Sequence, residues 1–574
     1  MHVRKQFKSG TLMAVLCLLT LLIAACGGGT DSSSNSGKAK DQIYVVPRIG
    51  AADIKTLDPA ITTDSESSPI IQQMFTGLVE FDNNLNIKDE LAQSHQLESD
   101  GLTWTFKLKP NLKFSNGDPL TSKDVAWSIN RALDPKTKST TAGTYLALIK
   151  GADEMVNGKR STLIGYSLLT PDDNTIKIVT TQKASYFLQT LTYPTSYVLN
   201  KKILDKYGDR WAEHIGEGAG SGPFTLSKWN HGVELQVVPN DNYYGKKPQL
   251  KKVVYAFYKT TETAWKAYEG NQLMAANVPA AQTEHAKQLP KNQYWSVPEL
   301  SVSYVTMNYL VKPFDNVKVR QAFALSINRE QLSHNISKDR NIPSYHIVPD
   351  GQPGYNKDLT GPAGVKNING DPALAKKLLE EGLKEEGMTA DSVGPLRLTV
   401  SAASAASMQT YQALQQMWEK TLGVKVQIDN VDWTKFLDVT TNSTNNPKGL
   451  QMWVGAWIAD YPDPQDWLTL QFDKTAQNNW NYGMTKEQQE VQALMRKADQ
   501  ETDQTKRMQM YNQAEQALVN DAAWIPISQG KGDGVMKPCV KNMPHNSMRQ
   551  VDPEAWADIY ISTDSPCANV SKYA

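Results

Sequence analysis

Between residues 396 and 428 the chain reads strand, helix, strand. Residues 396–401 are a short apolar run. Residues 405–421 place Tyr411, Leu414 and Trp418 at helical spacing, and residues 424–428 return to an apolar, β-branched run. Two strands separated by a helix of this length pair in parallel, through a right-handed crossover. This part of the chain is therefore expected to be α/β, with a parallel sheet covered by helices.

A second region shows a different logic. Over residues 102–109, Leu102, Trp104, Phe106 and Leu108 alternate with Thr103, Thr105, Lys107 and Lys109, which predicts a half-buried strand. Pro110 ends it, Asn116-Gly117 suits a tight turn, and Thr121 with Asp124 forms a capping box that opens a helix through Leu133. Asp371-Pro372 starts another helix, with Leu374, Ala375, Leu378 and Leu379 on its buried face. These stripes are read as core.

The ends of the chain set where such a body would sit. Arg4, Lys5 and Lys8 precede an apolar run over residues 12–25, the pattern of an export signal and too short for a permanent span. The run closes on Ile23-Ala24-Ala25-Cys26, which resembles the bacterial lipobox. That resemblance makes Cys26 the expected site of lipidation and the mature N-terminus, with an ordinary cleaved signal as the alternative. The Gly/Ser-rich stretch that follows buries too little to order itself and reads as a tether to about residue 42. No later run approaches spanning length, so the lipid is the only expected membrane attachment.

Lys plus Arg and Asp plus Glu both total 60 in 574 residues. No global field favours nucleic acid. With Cys17 in the leader and Cys26 lipidated, Cys539 and Cys567 remain in an oxidising compartment and are expected to form a disulfide; two free thiols are the alternative.

The common local signatures of catalysis are missing: no HExxH, GxSxG, Walker A run or CxxC occurs. Asp82, Asn84 and Asn86 imitate the start of a calcium loop, but Ile87 stands at the glycine position and Gln93 at that of the bidentate Glu, so a solvated loop is expected. No catalytic residue, metal site or cofactor is assigned.

A set of segments in order along the chain resembles family 5 of the bacterial extracellular solute-binding proteins, the peptide-, dipeptide- and nickel-binding group. They are Thr56-Leu57-Asp58-Pro59, residues 73–78 (QMFTGL), the long run 91–133, residues 220–232 with 240–244, residues 314–330, and WIADYPDP at 457–464. The resemblance implies a type II periplasmic-binding-protein fold, with two α/β lobes around a cleft and an inserted, mostly antiparallel domain. On that template residues 1–25 are signal peptide and 26–42 the lipidated Cys and tether. Lobe I is 43–82, 195–300 and 525–574, the inserted domain 83–194, and lobe II 301–524.

The function implied is an extracellular, lipid-anchored, monomeric binding protein that delivers peptides or peptide-like ligands to an ABC permease and its ATPase subunits. A peptide-signal receptor and a secreted hydrolase are the alternatives. The matching position for the carboxylate that meets the ligand's α-ammonium is Asp460, with a turn residue as the other reading. Ala456, Trp457 and Ile458, and across the cleft Thr63, Asp64 and Ser65, match the backbone positions that pair with peptide main chain. Trp457 and Tyr461 are expected in the cleft, Trp467 in the core, and Asp463 in the turn. Arg320 and Arg329 are expected to hold helix and hinge. Dipeptide-restricted members carry an Arg in the stretch that is here residues 401–407, which has no cation. Longer oligopeptides are therefore favoured.

Overall fold

Two long antiparallel strands, Tyr294–Met307 and Ile525–Met536, form the spine of a seven-stranded sheet in the computed structural model of the chain. The structure describes residues 37–50, 53–64, 66–402, 404–474, 476 and 478–574, so the expected leader, Cys26 and Ser65 lie outside the described residues. The spine register runs from Tyr294 opposite Val535 to Val305 opposite Ile525, slipping between Pro298 and Val302 and again between Ser303 and Tyr304. Such irregularities bend a ribbon and increase its twist. Its two ends accordingly serve different cores, Val535 packing in one and Val305 and Ile525 in another.

At one end lies a four-stranded sheet in which Ile43–Ile49 runs parallel to Lys252–Tyr258, with Glu234–Pro239 and Phe224–Asn230 following antiparallel. Ile43 and Val45 pack on one face against Trp265 and Tyr268, while Tyr44 and Val46 face Phe75 and Trp211. Burial on both faces explains why this strand does not alternate with polar residues.

At the other end the expected βαβ unit is present. Leu396–Val400 and Val426–Asn430 pair in parallel, joined by the helix Ala405–Leu422. The second strand begins two residues later than the apolar run suggested. Gly423, at φ +72°, ends the helix in the left-handed region, and the turn takes Val424 with it. Asp371 caps the helix Pro372–Glu385 through the backbone N–H groups of Ala373 and Leu374.

Between these parts lies a separate antiparallel sheet of Ala92–Leu97, Thr103–Leu108, Thr175–Val179 and Leu168–Asp172. Phe106 and Leu108 are buried in the same core as the helix Ser122–Leu133, whose Thr121/Asp124 capping box forms as expected. Asp82 is a half-buried turn residue, its Oδ1 accepting the N–H groups of Asn84 and Asn86 at 2.8 and 2.9 Å. Cys539 and Cys567 are bonded to each other. Among the described residues no helix is long and apolar enough to cross a membrane.

Candidate functional site

The lobes enclose a cavity of about 1460 Å³. Its floor on one side is the strand Met452–Ile458, which pairs along its whole length with Ser301–Met307. On its other edge only Met452 and Trp453 have partners, Leu398 and Thr399. From Val454 to Ile458 that edge has no strand beside it among the described residues, and all five residues line the cavity. An unpaired edge is a row of backbone donors and acceptors ready for another extended chain.

Asp460 stands just past the end of that edge. Its side chain accepts a hydrogen bond from the Tyr145 hydroxyl, and Tyr145 is stacked on Tyr193 with ring centroids 3.5 Å apart. No Lys, Arg or His pairs with Asp460 among the described residues. Desolvation raises its carboxyl to about 7, against the Tyr145 hydrogen bond, which favours the ionised form. Behind it Asp466 is buried, and burial followed by the charge of Asp460 pushes its carboxyl up as well. Asp466 Oδ2 accepts from Trp457 Nε1 at 3.0 Å, which pins that indole beside the strand edge.

Asp463 has another fate. It caps the short helix Pro464–Trp467 through the Gln465 N–H and forms a two-pronged pair with Arg507 at 2.6 and 2.7 Å, both side chains buried. Across the cavity Thr63 and Asp64 line the wall, but the Asp64 carboxylate is committed to the Glu66 and Ser67 N–H groups. Ala456 is exposed on the strand, with Trp457 and Ile458 half-buried. Tyr461 corrects the expectation, since it does not line the cleft. It is buried with its hydroxyl on Gln465 and its ring against Tyr145 and Tyr186, because the loop turns inward after Asp460. Trp467 is in the core. Arg320 holds Asp521 and the carbonyls of Phe314 and Asp315, and Arg329 reaches the carbonyl of Pro526 on the spine.

Sequence reasoning did not find Tyr145 or Tyr193. They stand in polar, small-residue stretches, and only the tertiary fold brings them to Asp460. The wall residues Trp433 and Phe436 were also missed. Their signal was present, an Asp432-capped helix beginning on an aromatic.

Two α/β lobes joined by paired strands around a cleft make a type II periplasmic-binding-protein architecture, and an open strand edge and a carboxylate without a cation face that cleft. The chain belongs to the bacterial extracellular solute-binding proteins, family 5, whose profile matches residues 86–479. This is a family of transporter substrate-binding proteins and not of enzymes.

The oligopeptide-binding protein OppA of Bacillus subtilis is 30% identical over 533 residues, covering 91% of this chain and 94% of that one. The Escherichia coli murein tripeptide-binding protein MppA superposes with a TM-score of 0.80 at 24% identity, covering 92% and 99%. Haemophilus influenzae OppA, in complex with RPPGFSPFR, gives 0.79 at 22% identity, covering 92% and 100%. Against the unliganded open form of MppA the TM-score is 0.65.

Proposed function

We propose that this chain captures peptides in extended form and delivers them to the permease and ATPase subunits of an ABC importer. The observation that carries the reading is the uncompensated carboxylate of Asp460 at the head of the unpaired edge of residues 454–458. A peptide supplies both missing partners at once, an ammonium for the acid and main-chain groups for the edge. Edge pairing reads backbone and not side chains, so it suits a binder of many sequences. The names of the relatives above support the ligand class. In the lobe assignment proposed here the chain crosses between lobes near residues 300 and 525, where the spine register slips.

The test is a four-corner cycle. Asp460→Asn keeps the shape and removes the charge. Affinity for a free-amino peptide is expected to fall about thirtyfold or more, since breaking one side of a desolvated charge pair costs on the order of 2 to 5 kcal/mol. The N-acetylated peptide is expected to bind wild type weakly and to be indifferent to the substitution. Equal losses for both peptides in calorimetry would make Asp460 structural.

Anchoring through Cys26 at the outer face of the cell membrane belongs to the same proposal and rests on the lipobox-like residues 23–26. A Cys26→Ser protein is expected to leave the detergent phase on partition, because oxygen cannot replace the thioether. Unchanged partition would refute the anchor.

A further inference from the structure

Lys537 is the reverse of Asp460. It is 9% exposed, and among the described residues no carboxylate pairs with its ammonium. Nζ donates to Asn271 Oδ1 at 2.7 Å and stands 4.2 Å from the centre of the Tyr268 ring, both neutral groups. Burial lowers its pKa from the usual lysine range, against the attraction of Glu269, which is too far away to pair with it. The backbone fixes this position. Where the strand Ile525–Met536 ends, the Lys537 N–H bonds the Met274 carbonyl at 2.7 Å, and its own carbonyl takes the Val540 N–H at 3.0 Å. An ammonium has three N–H bonds, and a buried cation without an anion costs free energy until something supplies one.

Lys537 lines a pocket of about 390 Å³ whose lining holds three lysines and no Asp or Glu. The other two are Lys291, exposed, and Lys541, half-buried. In a chain with equal numbers of acidic and basic residues this is a local excess of positive charge. Lys291 Nζ donates to the neutral Ser565 Oγ at 3.4 Å, and no acid pairs with Lys541 among the described residues. The two walls are tied together, because Cys539, between Lys537 and Lys541, is bonded to Cys567, just past Ser565. Trp295 and His545 stand on the side shared with the main cavity, their rings stacked with centroids 4.0 Å apart. Burial lowers the imidazole's pKa, so at neutral pH the lysines carry the charge.

We infer that this pocket is a second binding site, separate from the peptide cleft, and that it takes a phosphate group. Three ammonium groups exceed what one carboxylate balances. A phosphate monoester brings about −1.5 to −2 charges at neutral pH and three strong acceptor oxygens. Lysine holds phosphate as a point charge, whereas a carboxylate suits the planar fork of Arg, which the lining lacks. The volume is many times the roughly 30 Å³ share of one water, which leaves room for the group that carries the phosphate. Two sources have this chemistry, a soluble phosphate ester and a lipid with a terminal phosphate. The inference does not depend on the peptide reading.

The probes are inorganic phosphate, glycerol 3-phosphate and the short-chain lipid dihexanoyl phosphatidic acid, each titrated into the full chain by calorimetry at constant ionic strength. Wild type is expected to bind phosphate, and its thermal midpoint to rise with phosphate concentration. Lys537→Met keeps most of the stem and removes the charge, and it should weaken phosphate about tenfold or more. Lys541→Ala, at the more exposed lysine, should weaken it about threefold. Without phosphate the midpoint of Lys537→Met should not fall, since the substitution removes a buried cation that has no anion. If it does fall, Lys541→Ala decides. Phosphatidic acid binding tighter than glycerol 3-phosphate assigns the site to a lipid, and equal or weaker binding assigns it to a soluble ester. The inference is overturned if wild type binds none of the three probes, or if both lysine variants bind phosphate as tightly as wild type.

Discussion

Asp460 and Asp463 stand in one Pro-rich loop, three positions apart, and have opposite surroundings. Asp463 is clasped by Arg507 from the helix Gln504–Asn520. Asp460 has only the neutral hydroxyl of Tyr145, and desolvation lifts its carboxyl to about 7. The difference lies in what each acid lacks. A buried carboxylate with a two-pronged guanidinium is complete and serves the fold. One without a cation, at the edge of a cavity, is completed only by something that enters the cavity. In the proposed function it is spare charge, more than charge itself, that singles out Asp460 as the ligand position.

The largest expected effect tests the complete member of the pair. Asp463→Asn leaves the Arg507 guanidinium buried without its counter-charge, and removing one partner of a buried pair typically costs about 3 to 5 kcal/mol. Urea unfolding should show this as a lower midpoint with unchanged slope. Asp460→Asn, measured the same way, should cost no stability and should instead raise the midpoint as pH approaches about 7, where the desolvated wild-type carboxyl must ionise. Equal destabilisation by both substitutions would break the distinction.

A somewhat smaller effect sharpens it. Glu515 is also a buried acid, yet it lies in the core; its one basic neighbour, His346 at 3.9 Å, is an imidazole that burial pushes down to about 4, so it brings no positive charge between pH 5 and pH 8. Its Oε1 accepts the N–H groups of Ile347 and Val348 at 3.0 and 2.9 Å, and burial pushes its carboxyl up to about 8. The folded protein therefore holds this proton more tightly than the unfolded chain. The contribution to stability is full below the ordinary carboxyl range near 4 and is lost as pH rises towards 8. Glu515→Gln removes the titration. The stability of wild type relative to this variant should thus fall by on the order of 3 kcal/mol between pH 5 and pH 8. A difference constant with pH would mean that Glu515 stays ionised, and would weaken the argument from missing cations.

Local features were legible where local physics decides them. The alternation through Phe106, the Thr121/Asp124 box, the Asp371 cap and the βαβ unit all depend on neighbours within a few residues, and each formed. The family resemblance carried the two-lobed fold, and the shared motifs carried Asp460. Periodicity did not reveal which acid is paired, because Arg507 is 44 residues from Asp463 and Tyr145 is 315 from Asp460. Tyr461 was misjudged for the same reason. An aromatic beside a ligand residue faces cleft or core according to one backbone turn, and here Gln465, Tyr145 and Tyr186 receive it inside.

The smallest expected effect concerns the one contact Asp460 does make. Tyr145→Phe keeps the ring on Tyr193 and removes only the hydroxyl that Asp460 accepts. If a ligand ammonium is the true partner of the carboxylate, the hydroxyl is an accessory donor that lowers the cost of desolvating it, and a hydrogen bond to a charged group contributes about 1.5 kcal/mol or a little more. Affinity for a free-amino peptide should then fall about tenfold, less than for Asp460→Asn, because the charge pair survives. The hydroxyl favours the ionised acid, so its removal should also move the pH dependence of binding upward, with the free-amino peptide losing more affinity at pH 6 than at pH 8. Calorimetry at the two pH values separates the cases. A loss as large as that of Asp460→Asn, unchanged by pH, would mean that Tyr145 holds the lobes together rather than tuning the acid. The contrast between a complete and an incomplete carboxylate would then have to be drawn with Tyr145 as the partner of Asp460, much as Arg507 is the partner of Asp463.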